Sequence, residues 1–329
     1  MSFTLLVVCL TILSVCFATK SASCKCYVPF DGPIKTVVTS PQPHTYLDVS
    51  DLPRNFDWRN VNGTNYGSKV LTQQSPAVCG SCWAEAATGA LSDRYAIATQ
   101  GRLRINLAPQ QLINFNPTST GGSCNGGDSL KAYEFINIYG ISDDTCAPFV
   151  GLNWARGFTV AAMTDLEDVR AHQCYLCMWS GVCEFVHRDS YDLYGADEFG
   201  TASGVDEMMA EIYARGPIAC SLNSDVPAFN AYSGGIINCI DEPGVCETKS
   251  TDHVIVIAGW GVDAETKIPY WVGRNSYGTQ WGEGSGGGWF RLHRGVNALN
   301  IEQGSCVWAT PAAADVQRAM QQFTDSLAE

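Results

Sequence analysis

The sequence has few basic residues, and this shortage excludes one large class of functions. Its 329 residues include 20 Lys and Arg against 33 Asp and Glu, so the formal net charge is -13 with His neutral. Nucleic-acid binding needs a basic surface, and we therefore expect no nucleic-acid partner. About 46% of the residues are hydrophobic and 16% are charged, which indicates a globular chain of one large domain or two modest ones.

The sequence also lacks a long apolar run beyond residue 18, and it has neither a repeat of fixed period nor a low-complexity domain. The apolar run at residues 3–18 is shorter than the roughly 20 residues of a transmembrane helix, and small residues follow it. A transmembrane helix is the alternative, but a signal peptide over residues 1–18 is favoured. We therefore expect a mature monomer without a membrane span, in the secretory pathway, and either lysosomal, vacuolar or extracellular.

One glycosylation acceptor fits this route. Asn62, Gly63 and Thr64 form the acceptor triplet for an N-linked glycan, whereas Pro117 blocks a second triplet at residues 116–118. A chance match is the alternative for so short a motif. We expect a glycan on Asn62.

Hydrophobic periodicity divides the rest of the chain. Residues 27–53 are rich in proline and predict an extended, poorly packed lead-in. Apolar residues at helical spacing predict a helix that starts at Cys82 and stops by Gly101, and a second helix near the end of the chain, in a C-terminal extension over residues 311–329. Runs from residues 253, 270 and 288 predict strands, the first of them buried. A helical first half and a β-rich second half indicate an α+β protein with two lobes.

Several polar residues could share one reaction. A cysteine at a helix N-terminus has a lowered thiol pKa, because the helix dipole and free N–H groups favour the thiolate. Cys82 could therefore act as a nucleophile with His253 as its proton partner and Asn275 to orient the imidazole. Gln73 or Gln74 could place an N–H beside the Cys82 backbone N–H and form an oxyanion hole.

Each of these residues also has a structural interpretation. Cys79 and Cys82, together with Cys174 and Cys177, have the spacing of zinc ligands, but a long separation and an oxidising compartment favour disulfides. A redox pair at Cys79 and Cys82 lacks the expected βαβ context. His253 alone is more often a packed histidine. Taken together, the residues favour nucleophilic catalysis.

Four motifs resemble the papain family of cysteine proteases. They are the signature at residues 79–83 (CGSCW), the CNGG block at 124–127, the histidine block at 252–261 and the asparagine block at 270–284. The resemblance spans about residues 52–308. It implies a papain-like catalytic domain over residues 52–310, with a helical left lobe at about 52–190, a β-barrel right lobe at about 191–310, termini that cross between the lobes, and the active-site cleft between them.

The same resemblance implies a chemistry. Cys82 and His253 form a thiolate–imidazolium pair, Cys82 is acylated by a peptide or protein substrate, and water releases the product, without a metal or organic cofactor. Residues 19–51 match a short prosegment that inhibits its own enzyme. Tyr277 replaces the family's tryptophan and Glu85 stands where a histidine is frequent, with no role assigned to Glu85.

One lineage of this family has such a short prosegment and removes single C-terminal residues. In it, three inserted residues called the mini-loop separate the oxyanion glutamine from the signature. Gln73 lies nine residues before Cys82 rather than six, which makes Gln73 the oxyanion donor and Gln74, Ser75 and Pro76 the mini-loop. With Trp281 these are the expected substrate-binding residues. The lineage's carboxylate-binding histidine is Gln74 here, so an endopeptidase, or a non-catalytic binding homologue, remains an alternative.

The 15 cysteines divide among the expected segments. Two fall in the signal peptide, and Cys24 and Cys26 fall in the prosegment, which leaves five pairs and the nucleophile. The resemblance implies the pairs Cys79–Cys124, Cys146–Cys174, Cys177–Cys183 and Cys220–Cys306, and Cys239 and Cys246 remain to close a small loop. It also implies that Cys26 bonds to Cys82 and keeps the zymogen latent. A Cys24–Cys26 bond, or a free Cys26, is the alternative.

Overall fold

The structure is a computed structural model that describes residues 26–115, 117–153, 165–177, 183–284 and 286–326. Two hydrophobic clusters fill it, one around the long helix that begins at Cys82 and one on the far side of the main sheet. No helix in these ranges is long and apolar enough to cross a bilayer. The expected signal peptide and Cys24 lie outside the described residues.

Helices occur throughout the described part of the chain. Those of the described ranges are α1 Cys82–Ala98, α2 Pro109–Asn114, α3 Pro117–Thr120, α4 Ser129–Tyr139, α5 Leu166–Ala171, α6 Gly204–Arg215, α7 Pro227–Asn230, α8 Gly244–Glu247 and α9 Ala313–Ser326. The two predicted helices are confirmed as α1 and α9.

The strands are concentrated after residue 190. They are β1 Phe56–Asp57, β2 Gly122–Ser123, β3 Gly126–Gly127, β4 Tyr175–Cys177, β5 Cys183–Phe185, β6 Ala196–Ala202, β7 Ile218–Leu222, β8 His253–Val262, β9 Pro269–Arg274, β10 Trp289–His293 and β11 Cys306–Pro311. The three predicted strand runs correspond to β8, β9 and β10, and β8 is buried along nearly its whole length, as its apolar run predicts.

Seven strands form one antiparallel sheet. Its order is β10-β9-β8-β7-β11-β6, and β1 pairs with β8, so residues 56–57 join the β-rich part of the chain. Smaller sheets pair β2 with β3 and β4 with β5. No pairing between β10 and β6 closes the sheet in the described ranges, so the expected β-barrel stays a prediction.

Helix α1 is buried on all sides within the first of the two hydrophobic clusters. Small residues let its neighbours approach closely, and a Cβ on Gly89 would lie 2.9 Å from Arg274 Nη2 of β9. Arg274 forms a buried ion pair with Asp93 of α1, and Arg94 of α1 forms another with Glu211 of α6. Because buried charges require partners, these pairs fix α1 relative to β9 and α6.

With Cys26 at its start, the lead-in predicted over residues 27–53 is largely extended with two 3-10 turns. Pro43 is the only buried residue of that range, so the expectation of poor packing is confirmed, but the segment is held by several specific bonds. Cys26 is buried, Val37 pairs with Phe199 of β6, and Thr39 and Ser40 donate to Glu198. Proline content predicts the extended backbone, whereas bonds to distant residues decide where the lead-in lies on the protein.

Candidate active site

Cys82 is the first residue of α1 and is fully buried. Its side chain forms a disulfide with Cys26 of the lead-in. The helix N-terminus favours a negative charge on its sulfur whenever that sulfur is released as a thiolate. The structure confirms that Cys82 begins a helix, and its role as the nucleophile stays a prediction.

His253 begins β8 and faces this disulfide. Its Nε2 lies 2.7 Å from Asn275 Oδ1, and the Ser276 backbone N–H donates to the same oxygen at 2.8 Å. The Ser276 N–H can only donate, so it identifies this atom as the amide oxygen, and Nε2 therefore carries the proton that the oxygen accepts. The lone pair on Nδ1 then points to Cys26 Sγ, 3.2 Å away. In this orientation Nδ1 can accept a proton from a sulfur.

Aromatic rings cover the His253–Asn275 bond. Tyr277 lies 4.9 Å from the imidazole between ring centroids, and Phe229 lies 5.9 Å from it. Burial lowers the pKa of His253 to about 4, against the opposing effects of the Asn275 hydrogen bond and the Asp252 charge. The imidazole is neutral at neutral pH in this disulfide-bonded state.

Gln73 lies on the opposite side of the sulfurs. Its Oε1 accepts a hydrogen bond from Ser276 Oγ at 2.7 Å, which turns Nε2 towards Cys26 Sγ, 3.7 Å away. The backbone N–H of Gln73 donates to the Ser276 carbonyl. A lead-in sulfur therefore occupies the space between a proton acceptor, His253, and an amide donor, Gln73.

A short loop follows Gln73. The Cys79 N–H donates to the Gln73 carbonyl at 2.9 Å and closes the base of residues 74–78. Gln74, Ser75 and Pro76 are exposed there. The structure thus contains a projecting loop where the mini-loop is expected.

Trp281 belongs to an aromatic cluster that lies beside His253. It packs in an aromatic cluster with Phe229, Tyr232, Tyr277 and Phe290, and its Nε1 has no hydrogen-bond partner within the described residues. Its contact with His253 runs through Tyr277 and Phe229. A direct substrate-binding role for Trp281 stays a prediction.

The lead-in crosses the cleft by backbone bonds. The N–H groups of Cys26 and Tyr27 both donate to the Asp252 carbonyl at 2.9 Å, on the β8 side. On the α1 side, Val28 N–H donates to the Gly127 carbonyl and Gly127 N–H donates to the Cys26 carbonyl. Sequence reasoning missed Ser276, Asp252 and Gly127 as site residues. Only the adjacency of Ser276 to Asn275, and of Asp252 to His253, signals them in the sequence.

The remaining cysteines form structural bonds. The structure contains the pairs Cys79–Cys124, Cys146–Cys174, Cys220–Cys306 and Cys239–Cys246. Cys183 is disulfide-bonded and stands opposite Cys177 in the β4–β5 register. The side chain of Cys177 lies outside the described residues, so the Cys177–Cys183 bond stays a prediction.

Two further residues lie outside this arrangement. Asn62 is exposed in a turn between Val61 and Thr64, a position accessible to a glycan.

Glu85 is buried on α1, accepts a hydrogen bond from Ser81 Oγ at 2.9 Å, and leaves Oε2 without a described partner. It borders a cavity of about 20 Å³ that Asn275 also lines. Burial raises the pKa of Glu85 to about 8, so it is largely protonated at neutral pH.

Comparisons with known proteins agree with this geometry. The family model described as papain family cysteine protease matches residues 52–315. A relative named Cathepsin Z, from Onchocerca volvulus, is 38% identical over 274 residues, or 81% of this chain and 80% of that protein. Cathepsin B-like cysteine proteinase 6 of Caenorhabditis elegans is 31% identical over 268 residues, or 78% of this chain and 66% of that protein.

A solved structure gives the same fold. The digestive procathepsin L2 proteinase from the Tenebrio molitor larval midgut superposes with a TM-score of 0.61 at 25% identity. The match covers 86% of this chain and 74% of that chain.

Proposed function

The chain belongs to the papain family of cysteine proteases, and we propose that it acts in this family as a carboxypeptidase. The observation that carries this proposal is the loop at residues 74–78, closed by the Gln73–Cys79 backbone bond and placed directly after the amide that faces the sulfurs. The lineage with that insertion is cathepsin X, also called cathepsin Z, and the relative named Cathepsin Z supports the assignment.

In the proposed reaction, reduced Cys82 attacks the scissile carbonyl carbon. His253 Nδ1 holds the thiol proton and gives it to the leaving amine, while Asn275 keeps the ring in the required orientation. Gln73 Nε2 and the Cys82 backbone N–H stabilise the oxyanion, and His253 then activates the water that hydrolyses the acyl-enzyme. The geometry that supports these roles is the placement of Gln73 and His253 on either side of the sulfurs.

The mini-loop would limit how many substrate residues can follow the scissile bond. Its bulk blocks the cleft beyond one residue after the scissile bond, and the Gln74 amide donates a hydrogen bond to the terminal carboxylate. A neutral donor is about half as strong as an imidazolium, and its net contribution on the order of 1 kcal/mol corresponds to up to about tenfold in rate. The preference for free C-termini is therefore retained but reduced.

The zymogen would be latent until two bonds are broken. The Cys26–Cys82 disulfide removes the nucleophile, and the prosegment backbone fills the cleft from Gly127 to Asp252. Activation then needs both reduction and proteolysis. A glycan on Asn62 and a lysosomal, vacuolar or extracellular location belong to the same proposal and follow from the expected signal peptide.

An endopeptidase is the second candidate, and the uncharged Gln74 favours it. The deciding assay compares one peptide with a free C-terminus against the same peptide amidated, both with the reduced, processed enzyme. We expect faster release from the free acid, a wider gap in Gln74→His, and no change in Gln321→His, a matched substitution on α9. Equal cleavage of both peptides at an internal bond would show an endopeptidase.

A binding homologue without catalysis is the candidate from another class. The processed, reduced protein should be labelled at Cys82 by an epoxide inhibitor of cysteine proteases, and Cys82→Ser should abolish the label. Absence of labelling in the wild-type protein would favour the binding homologue.

A further inference from the structure

Three potential metal ligands meet at the closed cleft. Cys26 Sγ, Cys82 Sγ and one ring nitrogen of His253 all lie within 4.8 Å of one another, and all three residues are buried. Two cysteines and one histidine, with a fourth position left open, form a donor set that Zn²⁺ binds in proteins. In the oxidised zymogen the disulfide occupies both sulfurs.

Reduction need not separate these groups. Four backbone hydrogen bonds hold residues 26–28 to Asp252 on one side and Gly127 on the other, and none of them involves a sulfur. Further contacts, from Val37 to Phe199 and from Ser40 to Glu198, anchor the rest of the lead-in. The Cys26 thiol therefore stays beside the Cys82 thiol after the disulfide is cleaved.

The histidine is already oriented as a ligand. Its Nε2–H is held by Asn275 Oδ1, which leaves the Nδ1 lone pair directed at Cys26 Sγ. Such a bond to the second nitrogen is the usual way that proteins orient a metal-binding imidazole.

Zinc binding requires only a small movement of the Cys26 and Cys82 sulfurs. Tetrahedral zinc with Zn–S distances of about 2.3 Å needs its two sulfurs about 3.8 Å apart. The Cα atoms of Cys26 and Cys82 lie 6.0 Å apart, so side-chain rotation alone can open the sulfurs to that separation. Cys26 Sγ already lies 3.2 Å from Nδ1, close to the separation of about 3.5 Å between S and N ligands of one zinc ion.

We propose that the reduced zymogen binds a zinc ion through Cys26 Sγ, Cys82 Sγ and His253 Nδ1, and that this ion keeps the prosegment in the cleft after the disulfide is broken. A phosphine reductant and one water convert the disulfide into two thiols and a phosphine oxide. Zn²⁺ then replaces the two thiol protons, which are released to solvent, and a water completes its coordination. Reduction alone thus leaves the nucleophile blocked while zinc is present.

The test uses the purified zymogen, reduced with a phosphine and desalted without oxygen. Co²⁺ is added as the probe, since tetrahedral cobalt–thiolate sites have characteristic charge-transfer and visible absorption bands. We expect one equivalent to bind with these bands, and Zn²⁺ to displace it. Cys26→Ser and His253→Ala should each weaken binding at least about 10- to 100-fold, the loss known for residues that only support a ligand. Cys24→Ser is the matched prosegment control and should bind like wild type.

Alkylation of Cys82 gives a second readout. Zn²⁺ should protect Cys82 in the reduced wild-type zymogen and not in Cys26→Ser. Absence of the bands in wild type, or equal binding and protection in Cys26→Ser, would overturn the three-ligand site. Neither readout depends on cleavage of a substrate, so their failure is distinguishable from failure of the carboxypeptidase proposal.

Discussion

Ser276 Oγ donates a hydrogen bond of 2.7 Å to Gln73 Oε1 across 203 residues of sequence. This bond decides which end of the Gln73 amide faces the disulfide, because an oxygen held by a hydroxyl directs the NH2 group to Cys26 Sγ and the Cys79 carbonyl. Ser276 therefore orients the expected oxyanion donor.

Removal of the Ser276 hydroxyl should weaken catalysis without abolishing it. We expect Ser276→Ala to lower kcat up to about tenfold with little change in KM, since one neutral hydrogen bond is lost. Gln73→Ala should lower kcat about 100- to 1,000-fold, as loss of an oxyanion donor does. Steady-state kinetics of both processed enzymes checks this order, and an equal or greater loss in Ser276→Ala would contradict it.

Tyr277 should protect the His253–Asn275 bond from water. Its ring covers the imidazole at 4.9 Å, and a hydrogen bond weakens where solvent enters. We expect Tyr277→Ala to lower kcat/KM up to about tenfold and Tyr277→Trp to equal or exceed wild type. Peptide hydrolysis by the three enzymes measures this; unchanged kcat/KM in Tyr277→Ala would show that the ring is not needed as a shield.

If the Cys26–Cys82 disulfide blocks the nucleophile, as proposed, it determines the activity of the unprocessed protein. Without reductant, the wild-type zymogen should show no peptide hydrolysis. The Cys26→Ser zymogen should show some hydrolysis, because the Cys82 thiol is then free. Its activity should remain below that of processed enzyme, since the backbone bonds to Gly127 and Asp252 persist. Cys24→Ser should stay as latent as wild type. Equal latency of Cys26→Ser and wild type would refute the proposed role of the disulfide in latency.

The length and the chemistry of the mini-loop can be tested separately. Deletion of residues 74–76 should remove the steric block and allow cleavage inside an amidated peptide. Replacement of the same residues by Gly-Ser-Gly should keep the block and only slow release from a free C-terminus. Mass spectrometry of the products distinguishes the two. If the deletion variant still releases only single C-terminal residues, another element limits the cleft.

The buried Glu85 carboxyl should make the free energy of unfolding depend on pH. Burial raises its pKa from 4.5 to about 8, so both states bind the proton below pH 4.5 and only the folded state keeps it between these values. Stability is therefore lost as pH rises from about 4.5 to 8, by up to about 1.4 kcal/mol per pH unit from this group, and levels off above. Glu85→Gln should remove this loss. Thermal unfolding at several pH values compares the two proteins, and parallel Tm curves would contradict the prediction.

Much of this fold could be predicted from local pattern. The apolar run after His253 predicts β8 because a strand buried on both faces needs such residues, and glycine at residue 101 predicts the end of α1. The lead-in could not be predicted in the same way. Its proline content sets only the backbone conformation, whereas hydrogen bonds to Phe199 and Glu198, from β6, decide where it lies on the protein.

For the candidate site, the sequence by itself determined the reactive groups and their order along the chain: a cysteine at a helix start, a histidine at a strand start and an asparagine after the next strand. Only the tertiary structure decided that Cys26 lies between His253 and Gln73, and that Ser276 and Asn275 fix the direction of both amide and imidazole. The physical reason is range. Periodicity and helix-end signals depend on neighbours a few residues away, but these hydrogen bonds join groups that meet only after two hydrophobic clusters have packed around α1 and β8.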